Sequence, residues 1–493
     1  MAQPLAFSEE YGAILGVPRV KERARPSYRD RVPEAVLRCV WYDRLFLTDR
    51  ITTSDGRTIR ILSPGRWNFE QGPDFRNAVI CFEEQATVLG DVEIDLTVPD
   101  WHGHGHDTDP NYNAVILLVV LDPPTGRVVP KNADGRTISI FALRDYLDES
   151  LEQLSARLDP REYPFGKAAN LGACARPRDV DTLCRIVDMA ADWRVISRAR
   201  QIGKDIDEKG PDQSFYEAFM TALGYKKFKE QYRRVAAAAS FEWVCGLLGG
   251  CDEDVRAELA EAILLHAAGL VPEEGPRDWD DESRRYYQRL QELLEVSGAQ
   301  LPVSSEDPIV WRSAGVRPQN YPARRLAGAA QVVTGHVESG IAKRCLDLWK
   351  KASGTRKDTV MFATVFAESR DSYWTWHYSW GGKKTARPVS LVGKGRAATI
   401  VVNVVIPFSL AVARKDGNLS LEHKVFSAYM SSPSLPTNAV LRLMAYRLFG
   451  TVKPPASVLA GARRQQGLIQ IYQDWCSEDP ACQQCSILPL LTA

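Results

Sequence analysis

The sequence predicts an α+β protein: a small mixed-sheet domain toward the N-terminus, followed by a larger, mainly helical one. Two textures predict this. Between residues 57 and 143 the apolar residues come in short β-branched runs separated by Gly, Pro and Asp, the pattern of strands. Beyond residue 165 they recur at three- and four-residue spacing over long stretches, the pattern of helices. With 493 residues, 45% hydrophobic and 25% charged, the chain is not a wholly disordered one. We expect an extended arm over 1–28, an α+β domain over 29–160 and a helical domain over 161–493.

From Pro18 to Arg31, across the end of the arm, stand Arg19, Lys21, Arg23, Arg25, Arg29 and Arg31 against Glu22 and Asp30. This stretch is either a solvated tail or a phosphate-contacting segment. Val36, Leu37, Val40 and Trp41 form a helical stripe within Arg31–Phe46. Strands are expected at Arg57–Leu62, Ala78–Phe82, Thr87–Val98, Val115–Leu121 and Ile138–Leu143. Helices are expected at Val180–Gln201, Phe215–Leu223, Phe228–Leu247, Asp254–Ala267, Asp281–Ser297, Pro322–Val333, Ile341–Lys351, Ala439–Phe449 and Val458–Trp475. Gly395–Leu410 fits a buried helix and a buried strand equally.

Lys+Arg and Asp+Glu are both 62, so bulk charge gives no non-specific hold on nucleic acid, and such a site must be local. No 18-residue uncharged apolar run is present, so no membrane span is expected. The N-terminus lacks a basic segment followed by an apolar one, so a cytoplasmic protein with reduced thiols is expected. Gly382-Lys383-Lys384-Thr385 resembles the end of a phosphate-binding loop, but His377 stands where its first Gly belongs. Asp107-Thr108-Asp109 opens like a calcium loop, but Tyr112 replaces the turn Gly and Leu118 the closing Glu.

The informative stretch is 65–121. Asp74 precedes one expected strand. Asp91, Glu93 and Asp95 alternate along the next and share a face. Carboxylates so placed repel unless solvated or bound to a cation, and hard oxygen ligands suit magnesium or manganese. His102, His104 and His106 follow in WHGHGHDTD, spaced to present imidazoles on one side. They are a polar loop or part of the carboxylate site, and imidazole with carboxylate also suits zinc. We assign His102 and His106 as candidate ligands and His104 as candidate base.

Pro73-Asp74 followed by Glu93-Ile94-Asp95 resembles the PD-(D/E)XK phosphodiesterase core. That resemblance implies that Asp74 and Glu93 hold a metal, with Asp95 and Glu34 of the preceding helix as supporting carboxylates. Asp95 stands where the core has Lys, so the base would come from elsewhere or the site would be inactive.

Cys476, Cys482 and Cys485 stand near the C-terminus at spacing able to chelate one soft metal centre. A four-ligand site needs one more thiolate, and Cys174, in LGACARP, is the best candidate, with Cys251 next. The arrangement is similar to RecB-type nucleases that hold an iron–sulfur cluster with one distant and three C-terminal cysteines. A [4Fe–4S] cluster and zinc both fit the spacing.

NFEQGPDFRNAVI and GDVEIDLTVPDWHGHGHDTDPNYNAVILLVV, then LGYKKFK, RPQNYPARRLA, HYSWGG, VVNVVIP and QGLIQIYQDWC, resemble in order the bacterial domain-of-unknown-function family 2851. That family usually has His where this chain has Asp95 and Leu118, and Asn where it has Phe228.

Tyr225–Arg234 interleaves five cations with three aromatics. Arg317, Asn320, Arg324 and Arg325 form a second basic cluster, and residues 372–380 are dense in Trp and Tyr. Each is a surface for phosphates and bases or an ordinary structural element. The expected function is a metal-dependent nuclease acting on DNA or RNA. The alternatives are a catalytically inactive nucleic-acid- or partner-binding protein with a structural metal centre, and a metallohydrolase of small molecules.

Overall fold

A computed structural model describes residues 32–48, 51–69, 72–83, 86–124, 129–147, 179–224, 228–272, 279–298, 308–311, 316–367, 371–450, 454–476 and 485–492, with isolated positions at 149, 154, 158, 160, 163, 164 and 174. The chain falls into two compact units, one within Arg23–Leu171 and the other within Gly172–Trp311 and Arg317–Ala493. The arm over 1–28 lies outside the described residues.

In the first unit, helix α1 (Val32–Asp43) is followed by strands β1 (Ile51–Thr52), β2 (Thr58–Ser63), β3 (Arg66–Trp67), β4 (Phe75–Phe82) and β5 (Ala86–Ile94). The short helix α2 (Val98–Gly103) and strands β6 (Val115–Val120) and β7 (Ser139–Ala142) complete it. Helix α1 is shorter than its apolar pattern, because Arg44 turns left-handed (φ 52°) and the Leu45 amide bonds back to the Val40 carbonyl.

The sheet runs β1-β2-β4-β5-β6-β7, with β3 paired on β4. Strands β2, β4 and β5 are antiparallel neighbours, whereas β5, β6 and β7 are parallel. The parallel strands are covered on both faces, which explains the unbroken VILLVV run of β6. Leu117 and Val119 join Val92, Ile94, Phe141 and the α1 stripe in one core. Leu118 and Val120 join Trp101, Tyr112, Ile138 and Ile140 in another.

Strand β5 stops at Ile94, four residues before the expected Val98. Thr97 and Asp100 form a capping box there, the Thr97 amide donating to Asp100 Oδ2 at 3.0 Å, and Pro99 sits in the first turn of α2. The cap starts a helix where periodicity suggested more strand.

The second unit is helical. Its long helix Val180–Lys209 packs on Gly461–Ile471 so closely that a Cβ on Gly467 would lie 2.0 Å from the Val187 carbonyl oxygen. The ambiguous Val-rich segment is helical over Lys394–Lys415, with a π-turn at Val401–Val405. It is the one helix among the described residues long and apolar enough to cross a bilayer, but 72% of its apolar window is buried inside the fold. The expected helix Phe228–Leu247 is two, Lys229–Ala238 and Phe241–Gly249, the second capped by Ser240.

Candidate metal centre

The centre is built on the register of β4 and β5. Phe75 faces Val92 in the antiparallel ladder, so Asp74 and Glu93 come opposite each other. The Asp74 amide donates to Glu93 Oε2 at 2.9 Å. Asn68 braces the turn before Asp74, its side-chain amide donating to the Pro73 carbonyl at 2.7 Å. Two residues beyond Glu93, at the end of β5, stands the fully buried Asp95.

The loop after α2 brings the imidazoles in. His104 closes the helix, its amide donating to the Asp100 carbonyl at 2.7 Å. Gly105 then turns left-handed (φ 71°), a conformation cheap only for glycine, and returns His106 to the same side. His104 Nδ1 lies 3.0 Å from Asp95 Oδ1. His106 Nδ1 lies 3.6 Å from Glu93 Oε1 and 3.8 Å from Asp95 Oδ2. The His106 ring stacks on Tyr112 at 3.9 Å and meets the Trp101 ring edge-on at 5.1 Å, so it is buried and fixed. The His104 side chain is 13% exposed. Ligand atoms of Asp95, His104 and His106 all lie within 4.8 Å of one another.

The expectation that His102 joins His106 as a ligand is corrected. His102 lies within α2, its Nδ1 is 2.9 Å from Asp107 Oδ2, and its side chain is 43% exposed. His104, expected as a base, takes the place in the group. Asp91 also stands apart. A bulge at Arg76–Asn77 puts Asn77 in the left-handed region (φ 56°) and takes its amide out of the ladder. Asp91 Oδ1 accepts that amide at 3.0 Å. Burial raises the Asp91 pKa, against the Asn77 hydrogen bond and the charges of Arg76 and Arg66.

Sequence reasoning missed Arg38. Its guanidinium hydrogen-bonds and ion-pairs with Asp74 and lies 5.7 Å from the centre of the Trp67 ring. Burial opposes its charge, but Asp74, Glu34 and Glu93 outweigh it and hold its pKa above the ordinary value. Glu34 sits one helical turn before Arg38 on α1, and both are buried. The available signal was a Glu–Arg pair at four-residue spacing in a helix otherwise rich in apolar residues.

Among the described residues, Asp95, His104 and His106 are the group able to hold a metal. Cys174, Cys476 and Cys485 are half-buried, and Cys482 lies outside the described residues. Several members of the basic and aromatic clusters are buried. Phe228 and Tyr232 are buried with their rings 5.4 and 5.3 Å from Trp311, while residues 225–227 lie outside the described set. Arg324 is fully buried and donates to the carbonyls of Trp374, Gln319 and Val389. Arg325 donates to the Leu391 carbonyl and Asn320. Tyr373 stacks on Tyr286 at 4.4 Å and Trp380 on Trp279 at 5.5 Å, as core.

No curated protein and no solved structure matches the chain. A family model described as "Protein of unknown function (DUF2851)" matches residues 34–434, a span that takes in α1, the whole sheet, the carboxylate–histidine group and most of the helical unit. The chain belongs to the DUF2851 family.

Proposed function

We propose that this protein is a metal-dependent phosphodiester hydrolase, with a divalent cation held by Asp95, His104 and His106. The observation that carries the reading is the convergence of these three side chains at the end of β5, beside the Asp74–Glu93 pair. The donor set fits such an ion: two imidazole nitrogens and a carboxylate, beside the buried carboxylates of Glu34, Asp74 and Glu93. Nitrogen donors favour zinc, manganese or another transition metal over the magnesium first expected.

A bound divalent cation would polarise a phosphate and lower the pKa of its water. The chain's own residues supply the rest. Tyr112 and Trp101 fix the His106 ring, and the partly exposed His104 marks the side open to solvent. Glu93 Oε1, 3.6 Å from His106 Nδ1, helps to orient that ring. The substrate class follows from the strand layout, an Asp facing a Glu with a further acid two residues on, as in the PD-(D/E)XK core. Nucleic acid in a cytoplasmic setting is the substrate we propose.

The test is cleavage of labelled single-stranded DNA, duplex DNA and RNA by chelator-stripped protein resupplied with manganese, zinc or magnesium. Cleavage should appear with a transition metal and fall at least about 100-fold in Asp95→Asn. Equal activity in that variant would overturn the reading. One observation favours a second reading, a catalytically inactive binding protein with a structural metal: Asp74 is tied to Arg38. Metal binding without cleavage of any of the three substrates would select it.

A further inference from the structure

The Asp74–Glu93 pair is where the PD-(D/E)XK layout would put the metal, but its oxygens are already engaged. Asp74 Oδ1 is held by the Arg38 guanidinium, and Glu93 Oε2 by the Asp74 amide. Glu93 Oε1 faces His106. Arg38 itself is fixed from several sides: Trp67 lies beneath its guanidinium, Asp74 binds its end, and Glu34 and Glu93 add their charges. A guanidinium is always charged and, being covalently tethered, cannot be chelated away.

We infer that Arg38 takes the place of a cation at the Asp74–Glu93 pair, so that the centre is mononuclear, with its single metal displaced along β5 to Asp95, His104 and His106. This deepens the metal reading above and rests on it. Arg38 is on this account a positioning residue. It neutralises the pair that would otherwise compete for the ion, and it holds Asp74 in register with Glu93, one pair before Asp95. Glu34 belongs to the same device, since its carboxylate stabilises the guanidinium from the preceding turn of α1.

The experiment is a manganese titration of chelator-stripped protein, with free Mn²⁺ counted by electron paramagnetic resonance. It uses wild type, Asp74→Asn, Asp95→Asn and Arg38→Gln. Wild type should bind one Mn²⁺ per chain. Asp74→Asn should keep that site with affinity within about threefold, whereas Asp95→Asn should weaken it about 100-fold or more. Arg38→Gln, if it folds, should take up a second ion at the freed pair; if it does not fold, wild type and Asp74→Asn decide the question. Two ions per wild-type chain, or loss of binding in Asp74→Asn, would overturn the mononuclear arrangement and leave the metal reading intact. No binding by wild type would overturn the metal reading itself.

Discussion

In the helical unit, the fully buried carboxylate of Asp192 accepts two hydrogen bonds from Arg463, at 2.8 and 2.7 Å. Arg324 spends its guanidinium on three backbone carbonyls, and Glu261 sits buried with the Tyr286 hydroxyl donating to it at 2.6 Å. The sheet unit differs. Glu34, Asp74 and Glu93 are buried near Arg38, and at the far end two imidazoles are brought up to the buried Asp95. Buried ions that are matched locally organise a scaffold. A carboxylate and two imidazoles whose ligand atoms lie within 4.8 Å of one another offer a place to a cation from outside.

Breaking the local match should have the largest effect. Arg463→Met leaves Asp192 buried without its partner and should cost about 3–5 kcal/mol in urea unfolding. Adding Asp192→Leu should recover most of it, because a buried pair replaced whole leaves no orphan charge. If the single variant costs nothing, matched charge is not what holds helix Gly461–Ile471 to Val180–Lys209.

A pH-dependent effect separates Glu261 from the carboxylates of the sheet. Burial pushes its pKa from 4.5 up to about 8, against the hydrogen bond from Tyr286. The raised value means that the folded state favours the neutral acid. Its contribution is complete below pH 4.5 and is lost as pH rises toward about 8. Stability should therefore fall through that window, by at most about 1.4 kcal/mol per pH unit from this group. Glu261→Gln should flatten the profile, and parallel profiles for the two proteins would show that Glu261 is ionised throughout.

The same contrast governs what was legible in the sequence. Helix Asp281–Ser297 was readable to the residue because its boundaries are local: Asp280 caps it by accepting the Ser283 amide at 2.7 Å, and Gly298 ends it left-handed at φ 61°. The two-sided burial of β6 was visible in its composition. Helix Arg356–Ala367, rich in β-branched residues and burying few apolar side chains, gave too weak a stripe to be expected.

At the site, Asp74, Glu93, Asp95 and the histidine run stood out because alternation and spacing show them directly. Arg38 did not, because its purpose lies 36 positions away at Asp74. The choice of His104 over His102 depends on the left-handed turn at Gly105, a tertiary outcome that the repeating Gly-His pattern leaves open. The aromatic and basic clusters were left open between two readings, because composition does not report burial. Their composition suits a nucleic-acid surface, but Tyr232, Trp374, Arg324 and Arg325 are buried.

The most direct measurement for the metal-site account is the change in unfolding free energy when Mn²⁺ or Zn²⁺ is added to chelator-stripped protein, for wild type and Asp95→Asn side by side. An ion that binds only the folded state adds about 2.7 kcal/mol when present at 100 times its Kd. The account predicts that gain in wild type and at most about 0.4 kcal/mol in Asp95→Asn. No gain in wild type, or an equal gain in both, would contradict it.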